Sequence, residues 1–237
     1  HYALEQFISE NINGLPNRKK SCDLLMEKFN FVLENSKVPL DSQSIWKVQF
    51  KKRIKEIISL EEKRQLNGKP FALEIFGKYK IKLKNKDFFS ITAKVDRIDK
   101  GPIGFTIYDY KTGQVSKTNL ENFSPQLDIE ALMFVNSSFG NIDKDQGLVL
   151  SLIGLGGEPK QYDKIVTSEN LEQWSLGLKR IIEKMKLERT AFVARSVPSK
   201  KENFSDNYQH LSRFGEWNDN DEFIELTIGS HAKEFLS

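Results

Sequence analysis

Two acidic segments on either side of a short turn carry the residue types most able to do chemistry. Asp96 and Asp99 precede the turn over 100–104, and Asp109 and Lys111 follow it. Strand side chains alternate between faces, so Asp109 and Lys111 share one face, and hairpin pairing brings Asp96 beside Asp109. Two close carboxylates repel unless a cation lies between them, and their oxygens suit Mg²⁺ or Mn²⁺. The pattern predicts metal-assisted phosphodiester cleavage, with Lys111 orienting or deprotonating water or stabilising charge on the phosphate.

The surrounding residues favour this interpretation over the plainer one, in which an isolated D-x-K is an exposed strand pair. Residues 95–99 read V-D-R-I-D, and residues 108–113 read Y-D-Y-K-T-G. In residue types and spacing they resemble the D-R-I-D and D-Y-K-T-G signature of RecB-type nucleases in the PD-(D/E)XK superfamily. The resemblance implies a restriction-endonuclease-like core that hydrolyses DNA with Mg²⁺ or Mn²⁺.

A second motif narrows the resemblance. Residues 124–131 read S-P-Q-L-D-I-E-A, which resembles the glutamine motif at the start of a helix in the same family. Most RecB-type members have a tyrosine at the position of Glu130. The version with glutamate is similar to the B subunit of AddAB helicase-nucleases of the alphaproteobacterial kind. Later segments also resemble closing elements of that subgroup, namely 152–157, the stretch near Trp174 and 208–217.

The first residue fits the family as well. Residues 1–7 read H-Y-A-L-E-Q-F, which resembles the family's early H-x-x-L-E-x-F pattern. The resemblance implies that neutral His1 binds metal beside Asp96, Asp109 and the backbone carbonyl of Tyr110. The alternative is that His1 is the stub of an affinity tag. No methionine precedes it, so we expect a domain cut from a longer chain.

The remaining site residues follow from the same resemblance. It implies Asp96, Asp109, Lys111 and Gln126 as the catalytic set, with Gln126 positioning the carboxylates or the DNA backbone. Glu130 lies one helical turn after Gln126 and shares its face. Glu130 is either accessory or solvent-facing, and Glu74 is either accessory or merely exposed. Lys117 and Arg97 could both touch phosphate, although Arg97 could instead be structural. Asp99 is expected on the opposite strand face from Asp96 and outside the metal ligands.

A run of lysines offers a DNA-binding surface. Lys80 and Lys82 belong to a series in which lysine recurs at every second position from Lys78 to Lys86. This period indicates a strand with one basic face, which can follow a phosphate backbone. Lysines also protect exposed sheet edges from aggregation. Both explanations remain open for Lys80 and Lys82.

Composition limits the class of protein. The chain has 237 residues, 38% of them hydrophobic, enough for a core in one domain over 1–237. A single cysteine, Cys22, excludes a four-cysteine iron-sulfur cluster and fits a reducing cytoplasm. No G-x-x-x-x-G-K-(S/T) loop indicates an ATP site, and no apolar run is long enough for a membrane helix. The net charge of +3 is too balanced to indicate DNA binding by itself.

Periodicity predicts an α/β fold with a central mixed sheet flanked by helices, and helical additions at both ends. Trp46, Phe50 and Ile54 begin an apolar stripe that predicts core packing, and Ser124 is expected to cap the helix at Pro125. The predicted elements are helices over 1–40, broken at Asn13-Gly14 and Pro16, and around 46–58; strands over 71–76, 78–83, 88–97 and 105–111; a helix from about 125; a strand over 147–155; and a helix over 170–194.

Three functions remain possible on these residues. The first is a metal-dependent nuclease. The resemblance implies that it processes double-strand ends exonucleolytically in recombinational repair, with an AddA-like helicase subunit as partner. The second is a catalytically silent nuclease-like module for DNA binding or subunit docking. The third is a stand-alone exonuclease similar to Cas4 or RecE. Because Asp96, Asp109, Lys111 and Gln126 are all present, the sequence favours an enzyme.

Overall fold

The chain divides into two units. The computed structural model describes residues 1–122, 125–140 and 146–187. Residues 1–179 form the first unit, and a second begins at Arg180, of which 180–187 are described. The assignment of 1–237 to one domain stays a prediction. No helix in the described ranges is long and apolar enough to cross a membrane.

Six helices and five strands make up the described chain, apart from one short 3₁₀ turn. The helices are α1 (Tyr2–Glu10), α2 (Arg18–Glu34), α3 (Leu40–Asn67), α4 (Lys117–Asn122), α5 (Pro125–Val135) and α6 (Ser168–Met185). The strands are β1 (Lys69–Lys82), β2 (Phe88–Gly101), β3 (Gly104–Lys111), β4 (Gly147–Gly154) and β5 (Lys160–Ile165).

The strands form a single mixed sheet in the order β1-β2-β3-β4-β5. The β3–β4 pair is parallel, and the other three pairs are antiparallel. A parallel pair needs a crossover connection, and the chain between β3 and β4 contains α4 and α5. The predicted α/β class with a mixed sheet flanked by helices is confirmed.

The two faces of the sheet bury two separate cores. On one face, Ile107 of β3 and Leu150 of β4 are fully buried with Leu127 and Ala131 of α5. On the other, Tyr108 packs with α1, α2 and α3 in a core that includes Phe7, Leu25 and Ile57. Strand alternation explains the split, because neighbouring residues of β3 point to opposite faces. Full burial of one such aliphatic side chain stabilises the fold by about 1.5 to 3 kcal/mol.

The structure corrects several expected elements. The two strands predicted over 71–76 and 78–83 are one continuous strand, β1, while β5 and α4 were not predicted. Trp46 is wrong as a core residue, since 47% of it is exposed and the buried part of the α3 stripe begins at Ile54. Early α3 carries apolar residues on more than one side, so periodicity overstated its buried stripe. The Ser124 cap, the helix beyond 187 and the motif over 208–217 lie outside the described residues.

Candidate active site

Strand β3 and helix α5 position one half of the site. Asp109 and Lys111 share the β3 face that packs on α5, as alternation predicts. The Lys111 ammonium lies 2.7 Å from Oδ2 of Asp109 and donates a hydrogen bond of 3.2 Å to Oε1 of Gln126. Because Pro125 begins α5, Gln126 lies in its first turn and reaches back over the sheet edge. Lys111 therefore links the strand carboxylate to the helix amide.

Glu130 lies beneath Gln126 and supports this half of the site. The Gln126 amide nitrogen donates to Oε1 of Glu130 at 3.0 Å, a contact between residues one helical turn apart. Glu130 is only 2% exposed, so the solvent-facing interpretation is wrong. Its Oε2 atom is buried without a hydrogen-bond partner in the described chain. Burial raises the pKa of Glu130 to about 8, reinforced by the negative charge of Asp109 and Asp96.

The other half of the site lies where β2 meets helix α1. Oδ2 of Asp96 accepts the backbone N–H of Tyr110 at 2.9 Å and lies 3.4 Å from Nδ1 of His1. The β2–β3 ladder begins at the pair Arg97–Tyr108, immediately beside Asp96. The aspartate side chain thus takes over as acceptor for a β3 amide where the regular ladder stops. His1 immediately precedes α1, which packs against this end of the sheet.

Glu74 completes the cluster through an irregularity in β1. Its φ is +48°, which is rare for a residue with a side chain, and the β1–β2 ladder omits the pair Glu74–Asp96. Leu73 before it packs in the core under α1 and α3, whereas Ile75 after it packs in the core under α5. The irregularity therefore changes which face of the strand is buried. Backbone conformations of this kind are found at functional sites.

His1, Glu74 and Asp96 form a group whose nearest ligand atoms all lie within 4.8 Å of one another. Glu74 was expected only as an accessory or exposed residue, yet its carboxylate lies with the two predicted ligands. It also forms a 2.5 Å ion pair with Lys94, a residue that the motif did not indicate. Asp109 lies outside this tight group. A ligand role for Asp109, and for the carbonyl of Tyr110, stays a prediction.

Burial and charge act differently on the site's titratable groups. Burial raises the pKa of Asp109, and Lys111 opposes this only in part. Burial alone would also raise the pKa of Asp96, but hydrogen bonds with His1 and the Tyr110 amide lower it below the usual range. The hydrogen bond to Asp96 raises the pKa of His1, against the effect of burial. Asp96 is thus ready as an anion, while His1 would have to lose a proton to bind a metal ion.

The donor set fits a divalent cation. It offers one imidazole nitrogen and the carboxylates of Glu74 and Asp96 in one group, with Asp109 nearby. Oδ2 of Asp109 is buried, and its described contact is the ion pair with the Lys111 ammonium at 2.7 Å. Oε2 of Glu130 is buried without a hydrogen-bond partner in the described chain, and a buried oxygen left in this way is costly unless a proton, a cation or water satisfies it. Oxygen-rich ligand sets with one imidazole suit Mg²⁺ or Mn²⁺.

The predicted DNA-binding lysines lie apart from this cluster. Lys117 in α4 is exposed and pairs with Glu121 one turn along at 3.5 Å. Lys80 and Lys82 are exposed on β1, and Lys80 lies six residues from Glu74, a distance of about 20 Å along a strand. The structure does not bring these three lysines to the carboxylates. Because β1 is an edge strand, protection of the edge remains possible for Lys80 and Lys82.

A buried ionic network lies directly behind the site. Arg97 is fully buried, donates two hydrogen bonds to Asp99 at 2.6 and 2.7 Å, and donates another to Glu61 at 2.6 Å. Arg64 pairs with Glu61 at 3.0 Å. Strand alternation predicted Asp99 on the face opposite Asp96, and Arg97 was expected to touch phosphate or to be structural, but the pairing of Arg97 with Glu61 of α3 was not predicted. Glu61 and Arg64 continue the spacing of the apolar residues Ile54, Ile57 and Ile58, which was the available signal.

The site combines carboxylates, an imidazole and a lysine near the C-terminal end of β3. These groups are the parts of a metal-assisted phosphodiester hydrolase. The chain belongs to the PD-(D/E)XK nuclease superfamily, whose family model matches residues 1–197. Members are hydrolytic nucleases that generally use divalent metal ions. The match and the five-stranded mixed sheet confirm the restriction-endonuclease-like fold. No curated protein matches the chain.

Proposed function

We propose that this protein is a Mg²⁺- or Mn²⁺-dependent deoxyribonuclease. The observation that carries the proposal is the position of Lys111. Its ammonium lies between Asp109 and Gln126, beside the group of His1, Glu74 and Asp96. A positively charged donor at the edge of a carboxylate cluster is placed to meet a scissile phosphate.

Each residue of the candidate site has a role in this reaction. His1, Glu74 and Asp96 would hold the metal ion, with Asp109 beside them. When bound, the ion supplies an acidified water and neutralises charge on the phosphate. Lys111 orients the attacking water or donates to the phosphate oxygens, and its contact with Asp109 limits where the ammonium can move.

Gln126 and Glu130 hold the lysine in place. The Gln126 carbonyl accepts from Lys111 while its amide nitrogen donates to Glu130, which fixes the orientation of the amide. Protonated Glu130 is neutral and adds no further negative charge to the site. Its raised pKa favours that state in the metal-free protein.

A more specific cellular role rests on the resemblance of residues 124–131 to the B subunit of AddAB helicase-nucleases. We place the nuclease in a helicase-nuclease complex with an AddA-like subunit, where it processes double-strand ends exonucleolytically for recombinational repair. The single cysteine supports a cytoplasmic location, and no iron-sulfur cluster or ATP site is proposed for this segment. Buried Glu130, bonded to Gln126, supports this choice because it is the residue that departs from the usual tyrosine.

The test is cleavage of end-labelled single-stranded and duplex DNA in Mg²⁺, Mn²⁺, Ca²⁺ or EDTA. We expect cleavage in Mg²⁺ or Mn²⁺ and none in EDTA. We expect Ca²⁺ to bind without turnover, because it is larger and polarises water less. The Lys111→Ala variant should bind metal but lose cleavage.

Lys63→Ala is the matched control, since Lys63 is an exposed lysine on α3 with no described ion pair. It should cleave as the unmodified protein does. Metal binding without cleavage, by the isolated chain and also after addition of a helicase partner, would instead identify a silent docking module. Cleavage that persists in EDTA would refute the metal-dependent mechanism.

A further inference from the structure

We propose that one face of the β1–β2 hairpin binds a single strand of DNA and leads it to the active site. This inference rests on the proposed nuclease function and names the form of its substrate. The surface concerned, called the ribbon face below, is formed by alternate residues of both strands. Its members are Phe76, Lys78, Lys80 and Lys82 on β1 and Phe88, Ser90, Thr92 and Lys94 on β2.

Strand register places these eight side chains together. The ladder pairs Phe76 with Lys94 and Lys82 with Phe88, and the two pairs between them join lysines to Thr92 and Ser90. Directly paired residues of antiparallel strands point to the same face. All eight residues are exposed. The result is a continuous surface with four lysines and with a phenylalanine at each of its two ends.

The opposite face of the same hairpin is packed. Tyr79, Ile91 and Ala93 contact the core under α5, and the ring of Phe139 lies against Gly77 so closely that a Cβ there would be 2.3 Å from it. The hairpin is therefore anchored on one side. The ribbon face is held open to solvent, because the other face is committed to the core.

The charges of the ribbon face are available to a ligand. Among the residues that the structure describes, none forms an ion pair with Lys78, Lys80 or Lys82. Alternate residues on a strand are about 6.6 Å apart, close to the separation of neighbouring phosphates in an extended nucleic-acid strand. A row of lysines with this repeat can follow one phosphate backbone and gains affinity from counterion release.

The aromatic residues favour nucleic acid over simple edge protection. Phe76 is 64% exposed and Phe88 is 63% exposed. Edge protection uses charge and avoids exposed apolar groups, so two open phenylalanines would work against it. Bases of a single strand stack on such rings, whereas bases inside a duplex are already stacked. Aromatic and basic groups on one surface therefore indicate a single strand.

The ribbon face adjoins the His1, Glu74 and Asp96 group of the catalytic cluster. Glu74 lies two residues before Phe76 on β1, where the strand is irregular, and its carboxylate forms an ion pair with Lys94 of the ribbon face at 2.5 Å. Glu74 belongs to the group of His1 and Asp96. From Glu74 to Lys82 the strand spans about 26 Å, so several nucleotides of a bound strand would lie on the hairpin while the strand's end enters the site.

The test is a fluorescence-anisotropy titration in Ca²⁺ with labelled oligodeoxythymidylate and with a blunt duplex of equal length. The variant Lys78→Gln/Lys80→Gln/Lys82→Gln is compared with a control of equal charge change on α3, Lys51→Gln/Lys52→Gln/Lys63→Gln. We expect the ribbon variant to bind the single strand at least about tenfold more weakly and to lower the salt slope by about 2. Phe76→Ala should weaken single-strand binding by about tenfold and duplex binding much less.

A second readout separates this inference from the nuclease proposal. Cleavage of bis(4-nitrophenyl) phosphate in Mn²⁺ needs only the catalytic cluster, so the ribbon variant should retain it. Absence of that cleavage in every form would defeat the nuclease proposal, while a selective loss of single-strand binding would still support the ribbon face. Unchanged single-strand binding in the ribbon variant, or an equal loss in the α3 control or on the duplex, would overturn the inference.

Discussion

Two clusters of charged residues lie near the hairpin of β2 and β3, and they differ in how completely their charges are paired. Behind the hairpin, Glu61 and Asp99 are matched by Arg64 and Arg97, and each charge has a partner within 3.0 Å. In front, the carboxyl groups of the site outnumber the basic groups near them. Glu74, Asp96, Asp109 and Glu130 face Lys94, Lys111 and His1, and Oε2 of Glu130 is buried without a hydrogen-bond partner in the described chain.

The difference lies in how completely each carboxylate is paired and not in the direction of every pKa shift, because burial also raises the pKa of Asp99 in the network. Burial alone would raise the pKa of Glu61, but Arg64 and Arg97 hold it below its ordinary value. Burial raises the pKa of Asp109 and Glu130, and Lys111 and Gln126 oppose this only in part. One cluster is complete within the protein, while the other is incomplete without a cation. Each of the following changes tests this contrast.

The largest effect is expected from Asp109→Asn. We expect cleavage to fall by about 10³-fold or more, because the variant loses a negative oxygen beside the ligand group and the partner of Lys111. In EDTA, however, the free energy of unfolding should rise by about 1 kcal/mol, since burial raises the pKa of Asp109 even with Lys111 beside it and the variant removes that buried charge. Cleavage assays and urea unfolding of the same preparations measure both quantities. A loss of stability would place Asp109 with the structural cluster instead.

Arg97→Met should have the opposite signature. It leaves Glu61 and Asp99 buried without their shared partner, so we expect a loss of about 3 to 5 kcal/mol in unfolding free energy. Arg18→Met is the matched control, because Arg18 pairs with Glu62 at the surface, and it should leave unfolding unchanged. Equal urea midpoints for the two variants would show that the buried network adds no stability.

Glu130→Gln should change how stability depends on pH in EDTA. The folded-state pKa of about 8 lies above the ordinary value of 4.5, so the folded protein binds more protons between these values. Stability present below pH 4.5 is therefore lost as pH rises to about 8, at a slope of up to about 1.4 kcal/mol per pH unit. Glu130→Gln should flatten this slope, and Glu56→Gln on exposed α3 should not. Identical slopes in all three proteins would argue against a protonated Glu130.

The smallest effect is expected for metal affinity at His1. Because its pKa is raised, metal must displace a proton at neutral and acidic pH, and Mn²⁺ affinity should rise with pH by up to about tenfold per unit. His1→Ala should weaken Mn²⁺ binding by about tenfold and reduce this pH dependence. Isothermal titration calorimetry between pH 5 and 8 measures both. Identical pH dependence in the variant would remove His1 from the ligands and favour Glu74 and Asp96 alone.

Local sequence rules predicted the parts of the site that depend on one element. Alternation alone placed Asp109 and Lys111 on one face, and Pro125 placed Gln126 in the first turn of a helix. The helical period likewise put Glu130 on the face of Gln126. These relations hold within a single strand or helix, so they do not depend on the rest of the fold.

Relations between elements were harder to predict. The position of Glu74 depends on a residue with φ of +48° and on a break in the β1–β2 ladder, and no glycine or turn residue signals either. Arg97 binds Asp99 on its own strand, but it also binds Glu61 of α3, which is 36 residues away in sequence. Periodicity describes one element at a time, so contacts across such separations are invisible to it.

The amino-acid sequence by itself determined the mixed α/β class and the family resemblance, and it predicted the candidate reactive set, because these depend on residue types, spacing and local periodicity. The tertiary structure alone decided which carboxylates meet and which are neutralised. It brought His1 and Glu74 to Asp96, buried Glu130 beneath Gln126, and closed Arg97 into a paired network. The physical reason is that burial and through-space charge set the state of an ionisable group, and both arise only when distant segments pack together.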